Sequence, residues 1–146
     1  MSLENLAKIG RLRPHTTDRV ELGKLLGGAQ RSIKDAENTS ISNATRFTSA
    51  YTAIMEAAQA ALFANGYRPD IAQGGHHMTM VQALVHTIGL DGARVKVLDA
   101  FRRKRHVIDY SGEDADPSEV RDTTAAAKAL LADVRAWIAK NRPELA

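Results

Sequence analysis

Apolar residues recur along this chain at intervals of three and four and almost never alternate, a pattern that predicts helices and essentially no sheet. Leu22, Leu26, Ala29, Ile33 and Ala36 form the first firm stripe, with Thr17 as its expected N-cap and the polar run 38–43 as its stop. Phe47, Tyr51, Ile54, Ala58 and Leu62 form the next, in a helix from about Asn43 to Asn65, where Ala50, Ala57 and Ala61 leave room for close helix approach. Asn65-Gly66 closes it. Pro69 and Gly74-Gly75 make the following segment a loop, and a third helix runs from His76 or His77 to Ile88. A fourth is expected from about Asp91 to Asp109, followed by a polar, acidic connection over 111–116. Asp116 as N-cap, Pro117 and Glu119 then give a capping box, and Val120, Ala127, Leu131, Val134 and Ile138 mark the buried face of a helix stopped at Asn141-Arg142-Pro143. The opening segment, Met1 to Leu12, is a short helix or an arm with Leu3, Leu6 and Ile9 in weak register before Pro14. The prediction is an all-α fold: an N-terminal arm or short helix over 1–16, then an antiparallel up-and-down bundle of four to five helices over 17–142.

One residue breaks the pattern. At about 100° per residue, Arg94, Val97, Leu98, Phe101, Arg105 and Ile108 share one stripe of the fourth helix, while Arg103 and Lys104 point elsewhere. Those two read as solvated charges. Arg105 either snorkels from the edge of the apolar face or serves a cleft, and Asp109 at i+4 offers it a self-contained salt bridge.

Length and composition narrow the classes. The 146 residues suit one domain able to bury a core unaided, and the absence of cysteine excludes disulfide scaffolds, cysteine-ligated metals and thiol nucleophiles. Without a signal-peptide pattern or a long apolar run, a cytoplasmic protein off the membrane is expected. The net charge of +3 permits an anionic partner, and the positive charge gathers at Arg11/Arg13 and at Arg102 to Arg105. His76, His77 and His86 lack a carboxylate at ligand spacing on their helix, so no metal and no cofactor is expected. Neither glycine pair stands in a phosphate-loop context. Tyr51 and Phe47 read as core residues.

The segment 49–62, with Gly66, Pro69 and His76/His77 after it, resembles the HEPN family of small helical domains. The run Arg105-His106-Val107-Ile108-Asp109-Tyr110-Ser111-Gly112 is similar to the branch whose motif reads arginine, polar, two variable residues, Asp-Tyr-Gly. Arg105 falls at the family arginine, His106 at the polar position and Tyr110 at the terminal histidine or tyrosine. The likeness spans about Thr17 to Ile138. It implies a helical bundle, commonly a homodimer, whose arginine motif lines a cleft; some members bind nucleotides or RNA, and others have no assigned activity. Active members resemble metal-independent ribonucleases, often toxins encoded beside an antitoxin or a minimal nucleotidyltransferase.

This chain departs from the nuclease pattern, which wants a histidine where it has Tyr110. Metal-free RNA cleavage needs a base, an acid and a cation for the charged transition state. Arg105 supplies only the cation. Tyrosine, with an ordinary pKa near 10, is a poor base, so Tyr110 suits positioning a phosphate or stacking on a base. His106 is the candidate titratable group. The expected binding residues are therefore Arg102, Arg105 and Tyr110, with Arg105, His106 and Tyr110 as the catalytic candidates. The alternatives are a non-catalytic helical interaction module and a ribonuclease that works through His106.

Overall fold

The computed structural model describes residues 2–146, and it is an all-helical bundle with one minor sheet. Met1, the first residue of the predicted opening segment, lies outside the described residues. The helices are α1 (Leu3–Lys8), α2 (Arg19–Ala36), α3 (Asn43–Ala64), α4 (His76–Thr87), α5 (Gly92–Ser111) and α6 (Pro117–Asn141), with a 3-10 turn at Pro143–Leu145. The predicted capping box is present in full: the Asp116 carboxylate accepts from the Glu119 amide, and Glu119 accepts from the Asp116 amide. At the start of α2 the cap is Asp18, whose side chain accepts from the Glu21 amide. Thr17, expected there, donates its hydroxyl to the Glu21 carboxylate.

Helix α3 is the centre of the molecule, packing against α2, α4, α5 and α6. Its alanines explain how. Ala50, Ala53, Ala57, Ala58, Ala60, Ala61 and Ala64 are fully buried, and such short side chains let neighbouring helices approach closely. Leu22, Ile33, Ile54, Leu62, Leu84, Leu130 and Ile138 fill the space between them, each burial contributing about 1.5–3 kcal/mol. Helix α6 lies on α3 and α2 rather than chiefly on its sequence neighbour α5.

The expectation of no sheet is corrected at one place. Strands β1 (Leu12–Pro14) and β2 (Tyr67–Pro69) pair antiparallel, with Leu12 opposite Pro69 and Pro14 opposite Tyr67. Three-residue strands leave no room for alternation to show, and proline limits each ladder, so periodicity carried no signal. The pairing has a structural consequence. It ties the opening segment to the α3–α4 connection, and Leu3 and Leu12 are buried in the main core. Asp70, buried just beyond β2, accepts from the Ala72 amide (2.9 Å) and from Arg13 Nε (3.0 Å), fixing the loop that leads into α4. Those bonds, the Ala72 amide foremost, hold its carboxyl below the usual range.

A smaller core anchors the second half of α5: Phe47, Ile108, Ala115 and Val120 cluster, with Phe101 edge-on to Phe47 at 6.2 Å between ring centres. Leu98, Phe101 and Ile108 thus face inward as the stripe predicts, whereas Val97 is exposed. The acidic connection is held by buried Ala115 and by Gly112, which ends α5 with a left-handed φ of 71°.

Candidate functional site

Residues 102, 105, 106, 109 and 110 recur at helical spacing, so Arg102, Arg105, His106, Asp109 and Tyr110 present one face of α5. That face borders a cleft of about 420 Å³, closed by Tyr51 of α3 and by Gly75, His76, His77 and Met78 at the start of α4. All four residues expected from the sequence therefore meet in one place. Arg102 and Arg105 stand half-buried, while His106 and Tyr110 lie at the outer rim with their rings 4.5 Å apart. Tyr110 is 80% exposed and packs on little else.

Arg105 does not snorkel to bulk water. Its guanidinium carbon lies 5.4 Å from the centre of the Tyr51 ring, a cation–π arrangement, and its Nε is 2.9 Å from Asp109 Oδ2. The i, i+4 ion pair exists, but the Nε–H is not aimed at the carboxylate, and this buried nitrogen has no hydrogen-bond partner. Arg102 donates Nε to Asp99 at 2.7 Å, and Arg103 donates to the other oxygen of the same carboxylate. Those two arginines, Arg102 foremost, hold the Asp99 carboxyl below the usual range. The Nη nitrogens of Arg102 and Arg105 make no hydrogen bond to the described residues, so both guanidinium ends face the cleft with donors to spare.

Lys104 corrects the reading of it as a solvated charge: only 21% exposed, it reaches Glu113 (3.7 Å) and Glu119 (3.4 Å), tying α5 to the start of α6. Arg103, largely exposed, behaves as expected.

Tyr51 is both a core residue and a cleft residue. Its ring is buried, its hydroxyl meets His77 Nδ1 at 3.1 Å, and burial, the leading cause, pushes the phenol pKa up to about 12. The buried phenol stays protonated and shares a hydrogen bond with His77. The tautomer of the neutral ring sets the direction of that bond: Nδ1 accepts when the ring proton is on Nε2 and donates when it is on Nδ1. Burial, followed by the charges of His76, Arg105 and Arg102, lowers the His77 pKa and favours that neutral form.

The start of α4 adds further donors. Gly75 caps it in the left-handed conformation (φ 79°) with no side-chain hydrogen bond, leaving first-turn amides at the cleft. A Cβ on Gly75 would lie 3.8 Å from Arg11 Nη1, so the β1–β2 pairing brings the N-terminal basic cluster beside this helix start. Arg13 of that cluster is held by Asp70.

The sequence reading thus missed His77, the second role of Tyr51 and the approach of Arg11. Only the adjacency of His76-His77 to a glycine-rich turn hinted at the first. Among the described residues, no group of three His, Cys, Asp or Glu side chains could hold a metal ion, and no helix is long and apolar enough to cross a membrane. No protein-family model matches the chain, and no curated protein matches it. Arginine Nη groups and helix-start amides form a donor-rich cleft whose chemistry suits an oxyanion.

Proposed function

We propose that this chain is a HEPN-type domain that associates with nucleotides or RNA, gripping phosphate through Arg102 and Arg105 with Tyr110 at the rim. The observation that carries the reading is the convergence of two arginines with unbonded Nη groups on the uncapped start of α4. The ribonuclease reading works through His106, at the rim against Tyr110. Loss of cleavage in His106→Ala with binding retained is the result that reading requires.

A toxin–antitoxin or related stress or defence module is the setting this reading suggests. Val97, Val107 and Tyr110 stand exposed on α5, which supports a partner on that helix: a second copy in a homodimer, an antitoxin or a minimal nucleotidyltransferase. If the partner is the whole function, the chain is an interaction module and RNA binding is absent. Fluorescence anisotropy with labelled single-stranded RNA at low salt separates the two. Binding that falls steeply with added salt and is lost in Arg105→Ala is expected. If neither RNA nor mononucleotides bind, or Arg105→Ala alters stability alone, the proposal fails.

A further inference from the structure

A second cavity, of about 300 Å³, adjoins the arginine cleft and shares Tyr51, His76, His77 and Arg105 with it. Its other walls differ in kind. Buried Met55, Met80 and Pro69 line it with apolar surface, and Ile71 borders it while 72% exposed. Two uncharged polar residues complete it. The Thr52 hydroxyl is already committed to the Thr48 carbonyl at 3.0 Å, whereas the half-buried Gln59 amide has no partner among the described residues. Glu56 also borders the chamber, but its carboxylate is turned toward α2, where it accepts the Ser32 hydroxyl (2.9 Å) and lies against Gly28.

From this pairing of chambers we infer that the cleft takes a nucleoside monophosphate unit, with phosphate at Arg102 and Arg105 and the base beside Met55, Met80, Ile71 and Gln59. The inference rests on the reading of the first cavity as a phosphate site. A bare anion has no use for an apolar chamber, and a purely apolar ligand has none for the arginines. A nucleotide has both halves, joined at a length that suits two cavities with a common wall. Thioethers pack well on aromatic faces, so the methionines suit a base, and an amide with free donor and acceptor suits a base edge that presents both. The exposed Ile71 gains a cover. At about 420 and 300 Å³, the two cavities lie at the lower end of the range of small-molecule sites.

Calorimetric titration of the full chain with adenosine 5′-monophosphate, inorganic phosphate and adenosine tests this. The monophosphate should bind at least roughly tenfold more tightly than phosphate, the size expected for one base stacked on protein groups. Adenosine should compete with it more weakly. Ile71→Ser, on an exposed residue that leaves the core untouched, and Gln59→Ala should each weaken the monophosphate by roughly threefold or more while leaving phosphate unchanged. Arg105→Ala should weaken both. Equal affinities for monophosphate and phosphate overturn the base chamber and leave the phosphate site standing. If neither ligand binds, both are overturned.

Discussion

Replacing Asp109 with asparagine separates the two roles open to Arg105. If the ion pair locks the bundle, the substitution should destabilise the protein and leave ligand binding alone. If Arg105 serves the cleft, Asp109 is a competing carboxylate and its removal should strengthen anion binding. The structure fixes the expected sizes. Both side chains are about a third exposed and the contact lacks hydrogen-bond alignment, so the pair contributes no more than about 0.5 kcal/mol. Asp109 also sits in the last turn of α5, where the helix dipole disfavours a negative charge, and losing that charge offsets part of the cost. A melting shift within about 2 °C follows.

Binding should move further. At a separation of about 6 Å between a bound anion and that carboxylate, unit charges repel by about 0.7 kcal/mol in water and about 1.4 kcal/mol at half that dielectric constant. The dissociation constant for phosphate should therefore fall by about threefold to tenfold in Asp109→Asn. Calorimetry at low salt gives the affinity, and thermal denaturation of the same samples gives the stability. Unchanged or weaker binding, together with a melting point lowered by more than about 4 °C, would refute the cleft role and favour the lock.

Three further outcomes follow from the same contacts. Tyr51→Phe removes the hydroxyl that is hydrogen-bonded to His77 and should cost about 1 kcal/mol in urea denaturation, while the remaining ring keeps Arg105 in place; a neutral effect would mean the bond contributes nothing. His77 is lowered in the folded state, so unfolding takes up a proton near its ordinary pKa: its contribution is full above about pH 6.5 and is lost as pH falls toward the folded value. Denaturation midpoints between about pH 7.5 and about pH 5.5 should accordingly depend less on pH in His77→Gln, and identical slopes would contradict this. In α2, a Cβ on Gly27 meets only Arg31 Nη1 at 3.5 Å, whereas one on Gly28 would lie 2.0 Å from Glu56 Oε2. Gly27→Ala should then stabilise by about 0.5–1 kcal/mol through helix propensity. Gly28→Ala should lose that gain by displacing Glu56 from Ser32, and should recover it in a Glu56→Ala background; additive effects across that cycle would rule out the contact.

The sequence made the helices and Arg105 legible for a common reason: both are matters of local periodicity. A cation between Phe101 and Ile108 on an apolar stripe is conspicuous without knowing what it faces. The same logic placed Arg102, His106 and Tyr110 on one side of α5, because helical spacing alone sets their neighbourhood. What periodicity could not supply was the opposite wall of the cleft. His77 enters it because a buried Asp70 and a two-stranded pairing fix the approach to α4, and neither leaves a repeating pattern. Tyr51 read as core, and it is core; its hydroxyl acquires a second role only once His77 is beside it. Arg11 illustrates the point most sharply, since its charge was visible and its destination was not: only the pairing of β1 with β2 carries it to Gly75. The arginine motif on α5 therefore specifies half of a site. The other half, His77 and the start of α4 included, is brought to the cleft only by the tertiary structure.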